Sequence, residues 1–158
     1  SGVSMTKIPK DEETLNKLDN FCCRLPGDID YIGPLVEDVI DYLEGSYGEM
    51  DECTLFEIRV ILNELLLNAV KHGIKGDKNR YVKVIAGLKR NGSAMIMVED
   101  EGDGCDEDEC CHSTEDVLYQ IKETGRGLLI VRGLCERIRF NRKGNRVLVV
   151  KKLRRAGK

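Results

Sequence analysis

Glu64, Asn68 and His72 recur at intervals of four, which places them along one face of a helix with neighbouring Cβ atoms about 6 Å apart. An acid and an amide projecting together can share work at a phosphate. The amide oxygen is a hard ligand suited to Mg²⁺, and the carboxylate can polarise a hydroxyl or a water. Alone, the same spacing also describes a polar helix flank ending in a His that the helix dipole favours. A second group, Asp100-Glu101-Gly102-Asp103-Gly104, directly follows a strand-like run. Its first carboxylate can accept a hydrogen bond from an exocyclic amine, while the two glycines let the backbone approach a flat ligand. An acidic turn is the plain alternative; an EF-hand would need oxygen-bearing side chains where Gly102 and Gly104 stand. The third group is Thr124-Gly125-Arg126-Gly127-Leu128 at a helix start. Unpaired N–H groups and the positive helix end favour an anion there, and glycine removes side chains that would block it. No Gly-Lys-Ser/Thr follows, as a Walker A loop requires, and Ile130 replaces the third glycine of a dinucleotide fingerprint.

The elements that must carry these groups are legible in the periodicity. Asn20–Leu25 reads as a short strand stopped by Pro26-Gly27. Asp28–Glu44 has Ile32, Leu35, Val36, Val39, Ile40 and Leu43 at helical spacing, with Gly45 and Gly48 marking its end. Asp51 is placed to cap a second helix whose Leu55, Ile58, Leu62, Leu65, Leu66 and Ala69 form an apolar stripe, with Gly73 as its stop. Tyr81–Arg90 and Ser93–Glu99 alternate as strands about Asn91-Gly92, a hairpin signal. Asp100–His112 reads as a loop, Ser113–Ile121 as a short helix with a capping box, and Leu128–Glu136 as an apolar helix. Arg137–Phe140 and Arg146–Leu153 complete the strands about a turn at Lys143-Gly144-Asn145. The expected class is α+β: a two-layer α/β sandwich in which helices cover one face of a mixed, mostly antiparallel sheet.

The 158 residues suit a single domain, 34% of them charged and 41% hydrophobic. No apolar run is long enough to span a bilayer and no signal-peptide layout opens the chain. Residues 1–19 read as a flexible N-terminus, with those ahead of Met5 as a vector remnant, 20–153 as the domain, and 154–158 as a basic tail. The net charge of -3 conceals an asymmetry: Glu99–Asp116 holds ten acids and no Lys or Arg, while Arg126–Lys158 holds twelve bases against Glu136. Without aromatic interleaving or a reading motif, those bases do not argue for direct nucleic-acid binding. Seven cysteines, an odd number with no CxxC, suit a reducing cytoplasm. Cys105, Cys110, Cys111 and His112 do not have a standard zinc spacing.

Together and in this order, Glu64-Leu65-Leu66-Leu67-Asn68-Ala69-Val70-Lys71-His72-Gly73, Asp100-Glu101-Gly102-Asp103-Gly104 and Gly125-Arg126-Gly127-Leu128 resemble the three boxes of the GHKL ATP-binding superfamily. Asn-Ala-x-Lys-His-Gly in a lone domain is most similar to the bacterial anti-sigma-factor serine kinases. The resemblance implies Mg-ATP held between helices and a lid. Asn68 would hold Mg²⁺ and Glu64 would be the base. Asp100 would take the adenine amine, Gly102 and Gly104 would give the base room, and Thr124 to Leu128 would supply phosphate contacts. Lys71 and Arg126 are expected near the phosphates, and His72 among the residues that bind the cofactor. The implied activity is phosphorylation of a serine on a STAS-type anti-anti-sigma protein, with sequestration of a sigma factor and self-association as a homodimer. A nucleotide-dependent sequestering switch without phosphotransfer, or a detached sensor-kinase-like ATPase domain, would use the same residues.

Overall fold

In the computed structural model, residues 20–102 and 127–157 are described. A strand, β1 (Phe21–Pro26), leads through a single 3₁₀ turn at Ile29–Tyr31 into α1 (Ile32–Tyr47) and then α2 (Glu52–Asn68). The hairpin β2 (Tyr81–Leu88) and β3 (Ala94–Asp100) follows, then α3 (Gly127–Leu134), β4 (Arg137–Phe140) and β5 (Arg146–Lys151). The sheet order is β1-β2-β3-β5-β4, and every ladder is antiparallel. The mixed sheet expected from sequence is thus wholly antiparallel among the described residues. Local alternation identifies strands but carries no information on which strands pair or in which direction.

Period-two alternation sorts the sheet into two faces. Val84, Ala86, Ile96, Val98, Val147 and Val149 join Val36, Val39, Ile40 and Leu43 of α1 and Ile58, Ile61, Leu62, Leu65 and Leu66 of α2 in the main core. Ile85, Met95, Met97, Leu148 and Val150 form a smaller cluster, in line with their opposite parity on the same strands. The same parity decides the site. Asp100 lies two residues beyond Val98, so it points toward the helices from the end of β3.

Helix boundaries follow their caps. The Asp51 carboxylate accepts from the Thr54 amide at 2.7 Å and so satisfies one unpaired donor of α2. Helix α1 runs through Gly45, which was expected to help end it, and stops at Gly48, whose φ is 112° and whose N–H donates to the Glu44 carbonyl. Near the expected basic tail, the Asp51 amide donates to the Arg154 carbonyl, the Ala156 amide donates to the Glu49 carbonyl, and Arg155 stacks on the Tyr47 ring. The Asn91-Gly92 hairpin uses a three-residue loop, Arg90 to Gly92, closed by the Lys89 amide on the Ser93 carbonyl with Gly92 at φ 85°. No helix among the described residues is long and apolar enough to cross a membrane.

Candidate functional site

Helix α2 does not stop cleanly at Gly73 as a regular α-helix. After Asn68 it widens into one π turn, Ala69–Gly73, in which the Ile74 amide donates to the Ala69 carbonyl at 2.9 Å. Lys75 and Gly76 then take left-handed backbone, at φ 53° and 70°, and end the element. Widened turns of this kind recur at functional sites because they displace side chains from ordinary helical spacing. Here the turn carries Gly73 under the end of β3. A Cβ at Gly73 would collide with the Asp100 carboxylate, and one at Gly102 would collide with the Gly73 carbonyl. Glycine at both positions is therefore a packing requirement.

Asp100 is 9% exposed, and its Oδ1 accepts from the Gly102 amide at 2.8 Å. Burial pushes its carboxyl up to about 6; the Gly102 hydrogen bond pulls it down, Glu99 adds to the rise and Arg80 opposes it. Beside this carboxyl opens a cavity of about 280 Å³, bordered by Asn68, His72 and Gly73 from α2 and its π turn, Val98 and Asp100 from β3, and Leu128 from α3. Residues that sequence reasoning did not assign to a site also line it, among them Lys75, Arg80, Phe140, Lys143 and Asn145. They lie on loops and strand ends whose local patterns name no site, and the contact between residues 145 and 100 spans forty-five positions of chain.

Glu64 stands at the edge of this arrangement. Its Oε2 would collide with a Cβ at Gly127, so its carboxylate packs against the first turn of α3. The structure therefore brings Glu64, Asn68, His72, Asp100, Gly102, Gly127 and Leu128 into one region. Lys71, expected near the phosphates, is exposed and does not border the cavity. Adjacent residues on a helical turn project in different directions, which turns the Lys71 side chain away from that of His72. Gly104, Thr124, Gly125 and Arg126 lie outside the described residues, as do Cys105, Cys110, Cys111, His112, the acidic loop beyond Gly102 and the helix expected at Ser113–Ile121. Among the described residues, no group of three or more His, Cys, Asp or Glu side chains is placed to hold a metal.

The donor set fits a nucleotide with its metal. The amide nitrogen of Asn68 is buried with no hydrogen-bond partner, a state costing about 1–3 kcal/mol unless a ligand or water meets it. A carboxamide at a phosphate site can present its oxygen to Mg²⁺ and its N–H to a phosphate oxygen. Gly73 borders the cavity beside the buried Asp100 carboxylate, and Gly102 packs against both from behind.

Residues 28–151 match the histidine kinase-like ATPase domain family. The chain is similar to a protein named serine-protein kinase RsbW from Bacillus subtilis (strain 168), 26% identical over 147 residues that cover 87% of this chain and 88% of the relative. It is also similar to an anti-sigma F factor from Priestia megaterium, 30% identical over 91 residues, 57% of this chain and 60% of that one. In three dimensions it resembles the structure of the RsbU and RsbW domains of a Mycobacterium tuberculosis protein, with TM-score 0.56 and 18% identity. That match covers 89% of this chain and 35% of the longer one. The histidine kinase domain of a blue-light activated histidine kinase from Erythrobacter litoralis matches with TM-score 0.51 and 21% identity, over 82% of this chain and 66% of that one. At these identities the two structures speak to the fold alone.

Proposed function

The chain belongs to the histidine kinase-like ATPase domain family, and on that premise we propose that it is an ATP-dependent protein-serine kinase acting as an anti-sigma-type regulator in the cytoplasm. The substrate protein in this reading is a STAS-type anti-anti-sigma factor, and the sequestered partner is a sigma factor. The observation that carries it is the meeting of Asp100, Gly73 and Asn68 at one cavity, with Glu64 held against Gly127 beside it. Similarity to proteins named serine-protein kinase and anti-sigma F factor supports the same reading.

ATP is the substrate; Asn68 would hold Mg²⁺, which when bound would supply charge neutralisation at the phosphates. Asp100 accepts a hydrogen bond from the adenine amine. The backbone N–H groups of Gly127 and Leu128, in the first turn of α3, donate to the phosphates. Glu64 accepts the proton of the serine hydroxyl as that oxygen bonds to the γ-phosphorus and the bond to the departing ADP oxygen breaks. Phosphoryl transfer depends chiefly on positioning and charge neutralisation, so few groups suffice.

Incubating the chain with labelled ATP and a co-encoded STAS protein tests the reading, with labelled phosphoserine as the expected product. No label, with a tight nucleotide-dependent complex retained, replaces the kinase by a sequestering switch. Glu64→Gln should abolish transfer and spare ATP binding, whereas Asp100→Asn should weaken binding itself. Equal loss of nucleotide in both variants would contradict the assigned roles.

A further inference from the structure

The carboxylate that borders the cavity is held from behind by a turn that belongs to neither of the elements flanking it in sequence. The Asp100 amide donates to the Asn145 carbonyl at 2.9 Å. The Asn145 Nδ2 donates to the Asp100 carbonyl at 3.0 Å. Both main-chain polar groups of Asp100 therefore end on one residue at the start of β5. Asn145 is itself held. Its Oδ1 accepts from Asn141 Nδ2 at 2.8 Å, and its amide donates to Asn141 Oδ1 at 3.1 Å, an oxygen that also accepts from the Arg146 amide. With Gly144 at φ 72° closing the turn, the two asparagines lock one amide orientation. An amide turned the other way would set its oxygen against the Asp100 carbonyl, a repulsion that decides the assignment.

We infer that Asn145 is a positioning residue for the base-reading carboxylate, fixing Asp100 through both of its backbone groups while Asn141 fixes Asn145. The inference rests on the proposed nucleotide site and names the device that sets its base preference. A carboxylate distinguishes an exocyclic amine from a carbonyl only if it cannot swing away from the mismatch. The Gly102 hydrogen bond restrains the side chain of Asp100, and Asn145 restrains the backbone from which that side chain projects. Asn145 also borders the cavity, and the bonds named use one of its two amide hydrogens and one of its two oxygen lone pairs.

The test measures ATP and GTP affinity by calorimetry on the full chain and on Asn145→Ala, Asn145→Asp, Asn141→Ala and the Asn141→Ala/Asn145→Ala double variant, with circular dichroism following the fold. Asn145→Ala should weaken ATP about tenfold, the size of one hydrogen bond to a constrained group, and bring ATP and GTP affinities closer together. Asn145→Asp, which keeps the volume but has no N–H to donate, should lose at least as much. Asn141→Ala should act in the same direction more weakly, and the double variant should be no worse than Asn145→Ala, because Asn141 acts through Asn145. A merely structural asparagine would lower thermal stability and leave the ATP-to-GTP ratio unchanged, and that result overturns the inference. Should Asn145→Ala not fold, Asn141→Ala decides by the same ratio. If the unaltered chain binds ATP and the ratio does not move, this inference alone fails; if the unaltered chain binds no ATP, the proposed function fails and takes the inference with it.

Discussion

Asp100 is a residue whose environment works against its own charge. Burial raises its carboxyl from the ordinary 3.8 to about 6, so between those two values the folded chain binds more protons than the unfolded one. Stability therefore falls as pH rises from about 4 to about 6, and the lost increment, a few kcal/mol at most, stays lost above that range. Asp100→Asn removes the ionisation while keeping an oxygen for the Gly102 amide. It should raise the melting temperature relative to the unaltered protein at pH 8, with the difference shrinking toward pH 4. The same variant should bind adenosine poorly at every pH, whereas the unaltered protein should lose adenosine affinity as pH falls through about 6. Adenosine is the probe because it carries no titrating phosphate. A melting difference that does not depend on pH would mean that burial does not set this carboxyl. Two glycines separate the neighbouring roles. A Cβ at Gly73 collides with the Asp100 carboxylate, and one at Gly127 collides with the Glu64 carboxylate. Gly73→Ala should therefore cost nucleotide affinity, while Gly127→Ala should cost turnover with affinity kept, as parallel calorimetry and single-turnover measurements would resolve.

The elements are tied together away from the cavity by a buried charge. Lys151, at the end of β5, is 4% exposed. Its Nζ donates to the Leu134 carbonyl at the end of α3 at 2.8 Å and pairs with Glu57 of α2 at 3.2 Å. One ammonium thus joins the helix that carries Glu64, the helix that begins at Gly127, and the sheet. Replacing one partner of such a pair strands the other, at a cost of about 3–5 kcal/mol, whereas replacing both with apolar groups of similar volume is often neutral. Glu57→Gln, which leaves the Lys151 ammonium facing an uncharged amide, should lower unfolding free energy by about 3 kcal/mol in urea titrations; Lys151→Met should cost less, because Glu57 keeps Arg154 at 3.8 Å, and Glu57→Leu/Lys151→Met should recover most of the loss. Equal losses in single and double variants would show that packing around Lys151, not its charge, holds these elements. The helices and strands themselves were legible in sequence because each is a local pattern: the stripe from Leu55 to Ala69, the Asp51 cap, the alternation from Tyr81 to Leu88. The π turn at Ala69–Gly73 was not, since an amide bonding five residues back leaves no compositional trace. Nor was the insertion of β5 between β3 and β4, because alternation marks a strand without naming its neighbour.

At the scale of the whole molecule, the candidate site is a place where residues distant in sequence converge. Glu64, Asn68 and His72 could be read together from a spacing of four, and Asp100 and Gly102 from a carboxylate and a glycine at a strand end. The Asn141–Asn145 turn could not, because what brings it to Asp100 is the β3–β5 ladder, with Glu99 opposite Arg146. A site assembled from α2, β3, α3 and the β4–β5 turn exists only in the folded chain, so its ligand must stabilise the fold as a whole. At a hundred times its dissociation constant, Mg-ATP should add about 2.7 kcal/mol, or roughly 5–10 °C in melting temperature for a domain of this size. Glu64→Gln should keep that shift, because the carboxylate is assigned to proton transfer and not to binding. Asp100→Asn should lose most of it. Removing Mg²⁺ with a chelator should shrink the shift in the unaltered protein but have little further effect on Asn68→Ala, whose unpartnered amide is the group assigned to the metal and phosphates. Chelation that reduces the shift equally in both proteins would place Mg²⁺ on the phosphates without help from Asn68.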